Sequence, residues 1–164
     1  MTHNGGPFRI ARSMTAVRSV PVDAAHGWQA LIPHQGAMCL LDDVVAWDAN
    51  AIHARSRSHR NADNPLRSDG RLRAVNLCEY GAQAMAVHGG LLARADGGIA
   101  APGLLVSLRA VELFVERVDD LDGVLDVRAE KLVGSEASWQ YAFRIEHDGV
   151  VLARGRAAVL ATGG

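Results

Sequence analysis

The chain has 164 residues, 49% of them apolar, and a formal net charge of −1. This is the size of one domain with one sizeable core. The near-neutral balance gives no global field for nucleic acid or an anionic membrane, and no apolar stretch approaches the ~20 residues a membrane span needs.

Residues 1–25 carry Arg9, Arg12 and Arg18 with no acid before Asp23, and lack the continuous apolar core of a secretory signal. They read as an N-terminal arm ahead of a single domain over 26–164. Residues 32–36 form a turn. Strands are expected over 38–47 and 51–58, joined by the turn-forming Asp48-Ala49-Asn50. A polar loop, 59–70, holds the turn signals Asn64-Pro65 and Asp69-Gly70. A helix follows over about 71–92, with Ser68 or Asp69 as its cap. Its apolar positions wrap most of the circumference, the pattern of a buried helix. Four strands are expected over 104–114, 125–133, 139–146 and 150–160, with hairpin turns at Asp122-Gly123 and Asp148-Gly149. Two strands, one buried helix, then four strands exclude βαβ alternation and predict an α+β fold, an antiparallel sheet wrapped around one central helix.

Between Arg73 and Arg94 the only acidic residue is Glu79, set among small, apolar and neutral polar neighbours. A carboxylate is rarely left in such surroundings without a partner or a task. Burial there is expected to raise its pKa and fit it to donate a proton near neutral pH. Cys39 and Cys78 lie in apolar segments and read as reduced thiols of a cytoplasmic protein. No His/Cys/Asp/Glu spacing matches a metal site. His34 is expected to shape the turn or a subunit contact, His53 to face solvent, and His88 to lie in the core or an interface.

Residues 32–48, IPHQGAMCLLDDVVAWD, resemble the opening of the hotdog-fold 3-hydroxyacyl-carrier-protein dehydratases, with His34, Met38, Asp42 and Val44 at the matching positions. NLCEYGAQAMA, residues 76–86, resembles that family's catalytic helix, with Glu79 at the acid and Gln83 at the glutamine. The segment SHRNADNPLR is similar to the divergent branch found in aryl-polyene and related pigment pathways. In the usual motif the histidine stands fourteen residues before the acid. Here that position is Pro65, and the nearest histidine is His59, twenty residues before Glu79.

The resemblance implies a hotdog fold and dehydration of 3-hydroxyacyl thioesters to trans-2-enoyl thioesters, in fatty-acid-like or polyene biosynthesis. His59 is then the base and Glu79 the acid. Arg73, Ala74, Asn76 and Gln83 would line the substrate, with a backbone N–H near Arg73 or Ala74 on the thioester carbonyl. No cofactor is implied beyond the phosphopantetheine arm of an acyl carrier protein. Arg55, Arg57, Arg60, Arg67 and Arg71 would form a basic rim for that acidic carrier. The resemblance also implies a dimer, homomeric or with a related hotdog subunit, whose active site lies between the subunits, so that His59 and Glu79 need not meet within one chain. A thioesterase on the same fold and a non-catalytic partner subunit are the alternative readings.

Overall fold

The computed structural model describes residues 27–162. The expected arm, 1–25, lies outside the described residues. The elements are β1 (Asp43–Trp47), β2 (Ala51–Ser56), α1 (Leu77–Ala95), β3 (Gly103–Leu113), β4 (Leu125–Gly134), β5 (Ser138–His147) and β6 (Val150–Ala161). The strands form one antiparallel sheet in the order β1-β2-β4-β5-β6-β3. Alternation sends Ile52 and Ala54, Val127 and Ala129, and Phe143 and Ile145 to the inner face, where α1 packs. Asp48 closes the first hairpin by accepting from the N–H groups of Asn50 (2.7 Å) and Ala51 (2.9 Å). This is the sheet wrapped on one helix that the element order predicts.

Two glycines set the depth of that packing. A Cβ on Gly81 would stand 2.7 Å from the Phe143 ring, and one on Gly155 would stand 2.8 Å from the same ring's far edge. Phe143 therefore fills a slot between α1 and β6 that no other residue type at those positions leaves open. His88 is fully buried, paired with the Tyr141 hydroxyl (2.8 Å) and the Asp48 carbonyl (2.8 Å). Burial holds its pKa below the ordinary histidine value, so the ring sits in the core as a neutral bridge.

Two elements depart from the sequence pattern, the first strand and the helix. The first strand begins at Asp43 rather than Met38, because the backbone before it is held by side chains instead of a neighbouring strand. The helix begins at Leu77 after a 3₁₀ turn over Ala74–Asn76, with no side-chain cap from Ser68 or Asp69. Arg73, just before that turn, is extended and bridges Arg117: Ala74 N–H donates to the Glu116 carbonyl (2.9 Å) and Val118 N–H to the Leu72 carbonyl (2.9 Å). At its other end α1 continues through Gly89 and Gly90 to Ala95, and the missing side chain of Gly90 makes room for Leu31. No helix among the described residues is long and apolar enough to cross a membrane.

Asp119 ties the pairing of 72–74 together. Its side chain accepts from Leu72 N–H (2.8 Å) and from the Arg117 guanidinium, and these contacts hold its carboxyl at about 2, below its ordinary 3.8. A carboxyl depressed in the folded state contributes stability that is present above its unfolded value and lost as pH falls through the folded one. Denaturant titrations from pH 7 to pH 2 should show stability declining between about pH 4 and pH 2. Asp119→Ala should flatten that decline and cost about 1–3 kcal/mol at neutral pH, since Leu72 N–H loses its partner.

Candidate active site

Glu79 lies in the first turn of α1. It is neither desolvated nor alone: its carboxylate is 3.2 Å from Nε2 of His34, and the two side chains are 33% and 30% exposed. The expectation of a buried, lone carboxyl is therefore corrected to a half-open acid–histidine pair. Nδ1 of His34 is buried and has no hydrogen-bond partner among the described residues. Sequence reasoning missed His34 as a partner because 45 residues separate it from Glu79; the only signal was its place in the opening motif.

The segment carrying His34 is fixed by an unusual set of bonds. Gln83, one turn after Glu79, accepts from Leu40 N–H (2.9 Å) and donates to the Met38 carbonyl (2.6 Å). The hydroxyls of Ser56 (2.6 Å) and Ser58 (2.8 Å) both donate to the Leu40 carbonyl. The Tyr80 hydroxyl lies 2.8 Å from Ser58 Oγ and accepts from the Asn64 amide (3.0 Å). All of these polar side chains are buried, so the low-dielectric surroundings make the network expensive to break.

The other expected site residues are placed elsewhere. His59 is fully buried, and its Nε2 donates to the Leu121 carbonyl at 3.0 Å. Burial lowers its pKa, and the nearby charges of Arg60 and Arg67 act in the same direction. Its loop turns inward to pack under residue 121, so the ring meets backbone rather than solvent or the acid. Ala74 N–H is taken by Glu116 and cannot hold a thioester carbonyl. The Asn76 amide donates to the Leu66 carbonyl (3.1 Å), and Gln83 is fully engaged with Met38 and Leu40. Both amides thus brace backbone. Arg73 is exposed beside Asp69, 3.9 Å away.

The proposed basic rim is partly consumed by local bonds. Arg55 pairs with Asp126 (3.1 Å) and Arg60 with Asp122, while Arg67 donates to the carbonyls of His59, Arg60 and Gly70. Arg57 and Arg71 are exposed. A groove of about 590 Å³ lies on the outer face of the sheet, among Trp47, His53, Arg128, Arg144 and Arg156, and includes neither Glu79 nor His34. Among the described residues no group of His, Cys, Asp and Glu is placed to hold a metal ion.

A model of the ApeP-like family, described as ApeP dehydratase, matches residues 27–162. The chain belongs to the ApeP-like dehydratase family. The dehydratase heterocomplex ApeI:P from Xenorhabdus doucetiae contains a chain of similar structure, with 26% identity and a TM-score of 0.73 over 89% of this chain and 93% of that one. A putative esterase from Mycobacterium tuberculosis matches at 13% identity and a TM-score of 0.56, over 77% of this chain and 94% of the other. A hypothetical thioesterase with coenzyme A from Streptococcus pneumoniae TIGR4 matches at 14% and 0.52, over 74% and 85%. These last two show the hotdog fold alone. No curated protein sequence matches the chain.

For a dehydratase, the half-open pair is the chemically equipped feature. Histidine and carboxyl side by side can accept one proton and deliver another. Within one chain His59 is held by burial and by its bond to the Leu121 carbonyl. His59→Ala should lower the denaturation midpoint, by roughly 1–3 kcal/mol of stability. Turnover per folded molecule should change far less than the ~10²-fold or more that loss of a general base costs.

Proposed function

We propose that the chain dehydrates 3-hydroxyacyl thioesters on an acyl carrier protein, with His34 and Glu79 as its acid–base pair. The observation that carries this reading is the 3.2 Å contact between two partly exposed side chains in a dehydratase-family fold. Substrate approaches the exposed edge of the pair. His34 takes the proton from the carbon beside the thioester carbonyl, and Glu79 delivers a proton to the hydroxyl. The C–O bond breaks, water leaves and the trans-2 double bond forms. The weakly acidic C–H and the poor leaving group each need such help. Exposed Arg57 and Arg71 are compatible with an acidic carrier, whose phosphopantetheine arm brings the substrate.

The partner is a second hotdog subunit that pairs along β3. This strand is an edge of the sheet, yet it exposes Leu104 (58%), Leu105, Val106, Leu108 and Leu113, followed by Phe114 (53%). A long apolar edge left in water is a pairing template that proteins normally blunt. The ApeI:P likeness supports a non-identical partner.

The test is turnover of 3-hydroxyacyl carrier protein by the chain, alone and with its partner, read as enoyl thioester. Glu79→Gln and His34→Ala should each lose at least ~10²-fold while remaining folded. Release of free acid and thiol would mean a thioesterase. Unchanged turnover in both variants within the complex would make this chain a supporting subunit. In sedimentation, Leu108→Asp should convert the assembly to single chains, because a charge on the edge blocks pairing.

A further inference from the structure

The 38–41 segment lies between a 3₁₀ turn, Gly36–Met38, and the point where Asp42 N–H joins the sheet by donating to the Arg55 carbonyl (2.8 Å). In between, Leu40 is fully buried. Buried backbone groups must be paired, and in a sheet a neighbouring strand does this. Here side chains do it. Gln83 supplies an acceptor for Leu40 N–H and a donor for the Met38 carbonyl, the two bonds that a strand residue would otherwise make.

Gln83 is also the residue one helical turn from Glu79, and positions i and i+4 share a helix face. The same stretch of α1 thus bears the acid and grips the chain that carries the histidine. From Met38 back to His34 there are four residues, with the Gly36 backbone in the left-handed region at φ 59°. The anchor is therefore close enough to fix where the imidazole stands, while the ring itself stays a third exposed.

We propose that Gln83 is a positioning residue, whose amide substitutes for a strand and sets His34 against Glu79. The proposal rests on the acid–base reading above and deepens it. A structural role alone would affect stability without affecting the relation between the two catalytic groups.

Gln83→Met keeps the side-chain length and removes both bonds. Ser56→Ala cuts one of the hydroxyl bonds to the Leu40 carbonyl and serves where Gln83→Met does not fold. Two measurements decide. The first is the ring ¹⁵N resonance of His34, followed on introducing Glu79→Gln. The resonance should shift in the wild-type background and not in the Gln83→Met background. The second is turnover in the partnered enzyme. Gln83→Met should lower kcat by about 10–10²-fold with KM little changed, the scale of a misplaced catalytic group. It should cause no further loss in a His34→Ala background.

An equal loss in the His34→Ala background, or a His34 resonance that responds to Glu79→Gln as strongly with Met at 83, overturns the proposal. If His34→Ala and Glu79→Gln both leave turnover intact, the acid–base reading fails instead. The resonance measurement, which needs no turnover, then decides by itself whether Gln83 holds the pair together.

Discussion

The arrangement depends on how closely α1 can lie against the sheet, and that distance is set at Phe143. Its ring stands between Gly81 on the helix and Gly155 on the neighbouring strand, with room for a Cβ on neither side. Tight packing at this depth buries most of the helix circumference. It leaves a narrow, less buried line through Glu79, Ala82, Ala86 and Gly89, the three-and-four spacing of one helix face. Glu79 is the residue on that line with chemistry. Its partial exposure follows from the helix being locked at one rotation by the glycine–phenylalanine contact.

Much of the fold was legible because it follows from local rules. Asp148-Gly149 turns with both residues at positive φ, as a tight hairpin requires, and Asp48 closes its turn with its own side chain. The strands between such turns follow from alternation. The errors occurred where backbone is paired by something other than its expected neighbour. Residues 38–42 look like strand but are held by Gln83, Ser56 and Ser58. Residues 72–74 look like the start of a helix but are drawn into pairing with 116–118, with Asp119 sealing the contact. Neither arrangement leaves a periodicity in the sequence, because each depends on residues more than 15 positions away.

The site divided along the same line. Glu79 could be found because it is a lone acid in a bland helix. Its partner could not be found by counting, since His34 lies 45 residues before it and no periodicity links the two. His59 was drawn into the role by a motif that places the base shortly before the helix. In this chain the loop runs differently: Asn64 donates to the Ser58 carbonyl (2.9 Å) and folds residues 58–64 back on themselves. That curl buries the His59 ring and carries it to Leu121.

The same network bears on what the site can tolerate. On the proposed acid–base reading, a pair open to substrate cannot be held by packing on its exposed side, so its geometry must be enforced from behind. Here the enforcement is polar: Gln83, Ser56, Ser58, Tyr80 and Asn64 are all buried, and all are bonded to backbone or to one another. Hydrogen bonds are directional where apolar contacts are not, so a network of this kind specifies one position for the segment rather than a range of them. An apolar core under residues 38–40 would bury as much surface yet leave three backbone groups, Leu40 N–H and the carbonyls of Met38 and Leu40, without these partners. The polar residues of the core are therefore concentrated behind the segment that bears His34, where a small displacement would matter most to proton transfer.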